Sequence, residues 1–257
     1  MTRALAIVHR NALVYRHVWR GSLFSSFLQP TLFLVAMGFG VGKLVDGSDP
    51  SLPQGASFLE FLAPGLLAAA CMQSASFESS WPVLGKLRWQ RNYEAMLATP
   101  LRVIDVVAGE LGWIGIRLLT IALAFVSVMA MFGVVREWSQ VPALVAGAVL
   151  IGLAFSAPII AYAATLKTGN TFNVMFRFWI TPLFLFSGVF FPVSRLPRAV
   201  QPIAWATPLF HGVELLRGLT LHTIDSRAGI VHVLYLAAFL ATGFVLALYT
   251  FRRRLYS

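Results

Sequence analysis

Three residues late in the sequence have side chains that could bind a metal or transfer a proton. His211, Glu214 and His222 offer the imidazole and carboxylate ligands that zinc prefers. A His-Glu-x-x-His helix places two histidines four residues apart on one face, which this spacing does not do. The ten acidic residues are otherwise scattered along the chain. We therefore predict polar surface residues here, with no metal site and no catalytic cluster.

A second candidate is a run of alternating glycines that resembles part of a phosphate-binding loop. The glycines from Gly38 to Gly42 precede Lys43, but a Walker A loop would also need glycine where Met37 stands and Ser or Thr where Leu44 stands. We therefore predict that this chain has no nucleotide site. Gly38 and Gly42 instead have the four-residue spacing of a helix-packing face. That face could join two helices of one subunit or two copies of the chain.

The third candidate is a docking surface in the longest polar interruption of an apolar chain. Pro82 suits the first turn of a helix and Pro100 ends it, so residues 82–100 are predicted to form one amphipathic helix. Its basic residues and its stripe of aromatic and apolar residues fit either a membrane surface or a partner protein. The residues expected to make such contacts are Lys86, Arg88, Trp89, Arg91, Tyr93, Glu94, Met96 and Leu97.

The composition of the 257 residues is that of an integral membrane protein. Hydrophobic residues make up 58% and charged residues 12%, with a mean hydropathy of +0.76, whereas about a quarter of the residues of a soluble protein are charged. The net charge of +10 gathers at the ends of apolar runs, which indicates a lipid bilayer with anionic headgroups and no nucleic acid. The single cysteine, Cys71, excludes an intramolecular disulfide.

Residues 1–20 are predicted to form an amphipathic helix in the membrane interface. Apolar residues from Leu5 to Trp19 recur at spacings of three and four, and basic residues occupy the other side. A secretory signal peptide is the alternative. We disfavour it because no small-residue cleavage site follows a short apolar core.

Uncharged apolar runs predict six membrane-spanning helices, because about twenty apolar residues cross the hydrocarbon core as a helix. The third run is the uncharged part of a helix expected to begin near Ile114 or earlier. The predicted fold is therefore all-α. The six runs are Leu23–Gly42, Phe61–Phe77, Leu118–Val135, Val141–Leu166, Phe178–Ser194 and Ala228–Phe251.

The Lys and Arg residues predict how these helices are oriented. With both termini in the cytosol, 13 of the 20 lie on the inner side and six on the outer side, as the positive-inside rule requires. The remaining one, Arg117, lies within the third helix. This orientation places residues 82–100 in the cytosol, between the second and third helices.

The stretch from 195 to 227 does not fit a scheme of simple spans. Pro197, Pro202 and Pro208 interrupt it, and its uncharged middle part is too short to cross the membrane. Such a stretch suits two half-helices that enter and leave the same leaflet. We therefore predict a re-entrant hairpin that covers the outer mouth.

Three charged residues near the cytosolic side are candidates for a gate or a cavity. Arg117 could face a central cavity and meet an anionic substrate, or its side chain could extend to the cytosolic headgroups, which we favour. Glu110 lies two turns earlier on the same helix face. Arg177 opens the fifth run, where membrane anchoring is the simpler interpretation.

Three blocks of the sequence resemble the ABC-2 type transporter permeases, in particular the branch of nodulation-factor lipo-oligosaccharide exporters. They are LATPLRVIDVVAGE (97–110), PLFLFSGVFFPVSRLP (182–197) and PLFHGVELLRG (208–218), and the resemblance covers essentially the whole chain. It implies six spanning helices, an N-terminal interfacial helix, a cytosolic coupling helix between helices two and three, and re-entrant half-helices between helices five and six.

The same resemblance implies how the protein works. The chain would form a homodimer in the bacterial inner membrane and bind two copies of a separate ABC ATPase subunit, which would hold the ATP and Mg²⁺. This chain itself would carry no cofactor and would not be an enzyme. Closure of the ATPase pair would move the coupling helix and drive export.

The spans predict the class of substrate, because they are rich in Phe, Leu, Met and Ala. A hydrophilic solute would find few groups there to replace its water. We expect an amphipathic or lipid-linked substrate, such as a glycolipid, a lipo-oligosaccharide or a polysaccharide on a lipid carrier. Multidrug efflux is the alternative within the family.

Two other classes of membrane protein fit the sequence less well. A secondary transporter would need an intramembrane ionisable pair and inverted repeats. A membrane transferase would need clustered catalytic acids.

Overall fold

The computed structural model describes residues 3–17, 19–37, 40 and 57–255. Regular structure within these ranges is helical, as expected in a bilayer, where a helix satisfies its backbone hydrogen bonds within its own segment. The helices are α1 Arg3–Tyr15, α2 Trp19–Val35, α3 Phe58–Ser79, α4 Trp81–Arg88, α5 Asn92–Leu97, α6 Val103–Met131, α7 Val141–Thr165, α8 Asn170–Met175, α9 Thr181–Phe186, α10 Gln201–Trp205, α11 Pro208–Leu221 and α12 Ser226–Leu255, with a π-helical turn at Phe176–Ile180.

Four helical stretches of the described part are long and apolar enough to cross a membrane: Phe58–Arg88, Val103–Met131, Trp138–Thr165 and Ser226–Leu255. They contain α3, α6, α7 and α12, and each overlaps one of the six predicted spans. The first predicted span, Leu23–Gly42, overlaps α2 and continues outside the described residues. The all-helical membrane architecture is therefore confirmed, and the number of six spans stays a prediction.

Helix α6 shows that charged residues need not end a spanning helix. It begins at Val103, well before the uncharged run that starts at Leu118. Its acidic residue Glu110 and its basic residue Arg117 both form ion pairs with other helices. Pairing lowers the cost of placing these charges in an apolar helix, so the helix extends through both.

The helical part of the fifth predicted span lies earlier than expected. The prediction placed it at Phe178–Ser194, after the charge of Arg177, but helical residues run from α8 through the π-helical turn to Phe186. Arg177 is exposed on that turn, so its charge does not end the helix. The chain leaves the helix at Ser187 and Gly188, where a φ of +86° favours glycine.

Helix α1 packs against α6 through a face that includes Ile7 and Asn11, which are both buried. The approach is close, because a Cβ atom built at Gly109 of α6 would lie 2.7 Å from Ile7 Cβ. Leu5, which belongs to the predicted apolar stripe, is exposed and does not take part in this packing. The position of α1 in the membrane interface stays a prediction.

Helix α7 occupies the centre of the helix packing and contacts α3, α6, α11 and α12. Small residues allow the closest approaches. A Cβ atom at Gly243 of α12 would lie 2.5 Å from Pro158 Cδ of α7, and one at Gly212 of α11 would lie 2.6 Å from Ile151 Cγ1 of α7. These helices share one continuous apolar core.

The stretch from 195 to 227 contains the short helix α10 and the longer helix α11, as two half-helices require. The Thr207 hydroxyl caps α11 by accepting a hydrogen bond from Phe210 N at 3.2 Å, and Pro208 fills the first turn. Helix α11 then packs against α3, α7 and α12. The position of this pair within a leaflet stays a prediction.

Candidate functional site

The segment between α3 and α6 consists of two short helices, α4 and α5, instead of the single helix predicted for residues 82–100. The break is at Arg91, whose φ of 49° lies in the left-handed region. On an unbroken helix the buried face at Leu87 would continue to Arg91 and Glu94, which are charged. The break leaves both charges exposed and turns Tyr93 into the core. We call α4 and α5 together the α4–α5 segment.

Tyr93 is predicted from the sequence to contact a partner, but its side chain is 0% exposed. Its ring lies edge-on to Phe251 of α12, with 5.6 Å between the ring centroids. The hydroxyl has no hydrogen-bond partner among the described residues. Burial raises the pKa of Tyr93 well above its usual value, and the nearby charge of Glu110 raises it further. The Tyr93 side chain is therefore uncharged and packs inside the subunit.

Lys86 is also engaged within the chain. Its Nζ atom lies 2.9 and 2.7 Å from the two carboxylate oxygens of Glu110 in α6, and the Glu110 side chain is 2% exposed. Asn11 of α1 donates a hydrogen bond to the same carboxylate at 3.3 Å. Because a buried ion pair is costly to break, this cluster joins α1, α4 and α6 firmly.

The exposed face of the α4–α5 segment is centred on Trp89, whose side chain is 71% exposed. The side chains of Arg91 and Glu94 are also exposed, with 4.0 Å between Arg91 Nε and Glu94 Oε2. An exposed tryptophan beside an arginine is typical of the residues that dominate protein interfaces. The remaining predicted contacts are partly buried: Arg88, Met96 and Leu97.

A cavity of about 680 Å³ lies between α2, α3, α6, the π-helical turn and α9. Most of its lining is apolar, and the polar or charged side chains in it are those of Ser26, Gln73, Ser74, Glu78, Arg117 and Thr181. A cavity with this lining suits a ligand that has a large apolar part and a smaller polar part. Five phenylalanine rings line it: Phe33, Phe77, Phe125, Phe176 and Phe184.

Arg117 lines this cavity and is held by an ion pair. Its Nε and Nη2 atoms lie 3.2 and 3.1 Å from Glu78 Oε1 of α3, and its guanidinium carbon lies 4.4 Å from the centroid of the Tyr15 ring. The favoured interpretation from the sequence, extension to the headgroups, is replaced by this internal pair. The other two gate candidates do not line the cavity, because Glu110 belongs to the polar cluster and Arg177 is exposed elsewhere.

The late histidines lie in separate environments. His222 Nδ1 is 2.8 Å from Gln140 Nε2, whereas His211 Nδ1 is 2.8 Å from His232 Nδ1 of α12. Within the described ranges, no group of three or more His, Cys, Asp or Glu residues could hold a metal ion.

Sequence reasoning misses the roles of three residues at this site. Asn11 could have been noticed as a polar residue within the packed face of α1. Glu78 could have been assigned because Arg117, at a similar depth in a neighbouring helix, needs a counter-charge. Phe251 carries no such signal, since it is one apolar residue among many in α12.

These features define a multi-pass helical membrane protein with an exposed helical segment near an aromatic cavity. The family model of the ABC-2 type transporter matches residues 2–221. The chain belongs to the ABC-2 type transporter family, whose members are membrane transport subunits.

Curated relatives match over almost the full length of the chain. Nodulation protein J of Rhizobium leguminosarum bv. viciae is 31% identical over 251 residues, which cover 98% of this chain and 94% of that protein. Nodulation protein J of Rhizobium meliloti (strain 1021) is 29% identical, with 98% and 93% covered. The inner membrane transport permease YadH of Escherichia coli (strain K12) is 24% identical, with 82% and 78% covered.

Proposed function

We propose that this chain is the transmembrane permease subunit of an ATP-driven exporter that moves an amphipathic or lipid-linked substrate outward. The observation that carries the proposal is the phenylalanine-lined cavity with the Arg117–Glu78 ion pair in its lining. Aromatic rings receive the lipid tail, and the ion pair and the few polar groups orient the polar part. A glycolipid, lipo-oligosaccharide or lipid-linked polysaccharide fits this division, and the similarity to nodulation protein J supports it.

ATP hydrolysis takes place, in this proposal, on a separate ABC ATPase subunit that binds ATP and Mg²⁺. Two copies of it dock on the exposed face formed by Trp89, Arg91 and Glu94. Three connections then carry the movement into the membrane domain. Helix α4 follows α3 almost directly, the Lys86–Glu110 pair reaches α6, and the contact of Tyr93 with Phe251 reaches α12.

A homodimer with both termini in the cytosol completes the proposal. The positive-inside distribution supports this orientation, which assigns Arg91 and Arg252 to the cytosolic side; both residues are exposed. Gly38 and Gly42 are candidates for packing between two copies. They lie outside the described residues, so their role rests on the sequence alone.

Replacement of Trp89 by alanine tests the docking face. We expect affinity for the cognate ATPase, measured in nanodiscs, to fall about 30-fold, since a central tryptophan of an interface contributes ~2 kcal/mol or more. Substrate-stimulated ATP hydrolysis and transport should fall with it, and Arg91→Ala should act in the same direction. Tyr93→Ala is not a clean test, because Tyr93 is buried.

Trp138 provides a matched control for this experiment. It is also 71% exposed, but it precedes α7 at the end opposite to the α4–α5 segment. Trp138→Ala should leave ATPase affinity unchanged. Unchanged ATPase affinity of Trp89→Ala, or an equal loss in both variants, would contradict docking at Trp89.

The substrate class is tested by vesicle transport with the cognate ATPase present. A lipid-linked oligosaccharide and a flat hydrophobic drug are compared in the wild type and in Phe125→Ala, which alters the cavity lining. We expect transport of the lipid-linked substrate and its reduction by the substitution. Transport of the drug alone would assign multidrug efflux instead.

A further inference from the structure

A second cavity, of about 390 Å³, lies where the last turn of α7 meets the last turns of α12. It is separate from the aromatic cavity, and the two cavities share no lining residue. Two arginines contribute the charge of its lining, which consists of Ala164, Thr165, Tyr249, Thr250, Arg253 and Arg254.

The charge of this second cavity is not paired with an acidic group of the described residues. Neither Arg253 nor Arg254 forms an ion pair with another described residue, and neither α7 nor α12 contains an Asp or Glu residue. Two adjacent guanidinium groups in one hollow repel each other unless an anion lies between them. The cavity is therefore complementary to a negatively charged group.

The geometry leaves the arginine donors available for that anion. Tyr249 and Arg253 lie four residues apart on α12, as do Thr250 and Arg254, so each pair shares a helix face. The hydroxyl of Thr250 is already used, since it donates to Leu246 O at 3.0 Å. Planar guanidinium groups with several free N–H donors match the oxygens of a phosphate.

The position of the cavity points to a lipid as the source of the phosphate. It lies at the end of two apolar helices that each qualify as a membrane span, so it opens at the level of the headgroups. Tyr249 is exposed beside it, as is common for tyrosines at a membrane interface. Basic pockets between spanning helices on the cytoplasmic side are suited to anionic headgroups.

We propose that this cavity binds the phosphate-bearing headgroup of an anionic phospholipid from the cytosolic leaflet. The assignment of the leaflet rests on the orientation proposed above, whereas binding itself does not depend on export activity. The bound headgroup bridges α7 and α12 within one turn of Phe251, the residue that contacts Tyr93. Anionic lipid thus stabilises the base on which the α4–α5 segment rests.

Native mass spectrometry of the delipidated full chain, titrated with phosphatidylglycerol or phosphatidylethanolamine, tests this proposal. The variant is Arg253→Gln with Arg254→Gln. We expect its affinity for phosphatidylglycerol to fall about tenfold or more, since charge-assisted hydrogen bonds to phosphate are lost. Phosphatidylethanolamine should bind weakly to the wild type and the variant alike.

The matched control is Arg252→Gln with Lys167→Gln, which removes the same charge at the same end from exposed residues outside the cavity. It should retain wild-type affinity for phosphatidylglycerol. Equal losses in both double variants would mean general attraction to basic residues and would overturn the site. Equal binding of the two lipids by the wild type would also overturn it.

A single variant and a competition with inorganic phosphate complete the experiment. Arg253→Gln alone should weaken binding by a smaller factor and serves if the double variant does not fold, as judged by its melting temperature. Inorganic phosphate at millimolar concentration should not displace phosphatidylglycerol from the wild type. Full displacement would assign a site for free phosphate and overturn the lipid proposal.

Discussion

We expect the ring of Tyr93, and not its hydroxyl, to contribute to the stability of the fold. The ring is fully buried against Phe251, and the hydroxyl has no hydrogen-bond partner in the described part of the chain. We expect Tyr93→Phe to leave the free energy of unfolding unchanged or to raise it, because an unpaired buried hydroxyl is removed. Tyr93→Ala should lower it by ~3–5 kcal/mol, the usual cost of deleting a buried ring.

Thermal unfolding in detergent measures both Tyr93 variants. Tyr235→Phe is a useful comparison, because the Tyr235 hydroxyl does donate a hydrogen bond, to Ala206 O at 2.6 Å. That variant should lose stability where Tyr93→Phe does not. A lower melting temperature of Tyr93→Phe would contradict this expectation, because it would mean that the Tyr93 hydroxyl makes a stabilising hydrogen bond.

Arg217 is a buried residue that holds three parts of the chain together. Its Nε donates to Phe61 O of α3 at 3.1 Å, its Nη2 donates to Gly188 O at 2.8 Å, and its Nη1 pairs with Glu214 at 3.1 Å. The guanidinium carbon also lies 3.7 Å from the centroid of the Phe61 ring. A single cation therefore joins α3, α11 and the turn after α9.

Replacement of Arg217 by lysine keeps the charge and removes the planar fork of donors. We expect a loss of ~2–4 kcal/mol in the free energy of unfolding, because an ammonium group cannot satisfy these acceptors together. Arg227→Lys, at an exposed position, is the control and should have no effect. Equal melting temperatures of the two variants would contradict the proposal that Arg217 holds α3, α11 and the turn after α9 together.

At the scale of elements, the crossing of α7 and α12 depends on one glycine. A Cβ atom at Gly243 would lie 2.5 Å from Pro158 Cδ, whereas one at Gly229 of the same helix would lie 3.6 Å from Ile224 Cδ1. We expect Gly243→Ala to lower the free energy of unfolding by ~1–3 kcal/mol through overpacking. Gly229→Ala should be neutral or stabilising by up to ~1 kcal/mol, since alanine favours helix. Melting temperatures of the two variants test the difference.

The sequence predicts an element well where one physical signal determines it. Helix α7 is predicted at Val141–Leu166 and runs from Val141 to Thr165, because a long uncharged run has no other stable form in a bilayer. The extension of α6 to Val103 depends instead on partners for Glu110 and Arg117, which lie in other elements. A hydropathy scale treats these charges as unfavourable in a membrane helix, because the sequence alone does not show that they are paired.

The break in the α4–α5 segment could not be predicted for a related reason. Neither Gly nor Pro marks it, and Arg91 takes a backbone conformation that residues other than glycine seldom adopt. The break both keeps Arg91 and Glu94 exposed and buries Tyr93 against Phe251. The second of these depends on a contact between residues far apart in sequence. The amphipathic pattern places Trp89 and Tyr93 on one stripe, whereas the structure exposes Trp89 and buries Tyr93. The docking role of the exposed residues stays a prediction.

At the scale of the whole molecule, the proposed orientation places Trp89 and Trp138 on opposite sides of the membrane. The single cysteine, Cys71, is buried and can be replaced by alanine to give a cysteine-free background. In intact cells, a membrane-impermeant maleimide should label Trp138→Cys and not Trp89→Cys. Permeabilised cells should show labelling of both. Labelling of Trp89→Cys from outside would overturn the topology and the docking of a cytosolic ATPase.

The contact between Tyr93 and Phe251 also affects the order in which the molecule is made. Translation produces the α4–α5 segment long before α12, so a growing chain holds Tyr93 without the ring that covers it. The surface around Trp89 therefore acquires its final shape only after α12 has been synthesised and inserted. If an ATPase docks at Trp89 as proposed, we expect its recruitment to follow completion of that helix, so that an unfinished permease does not bind it.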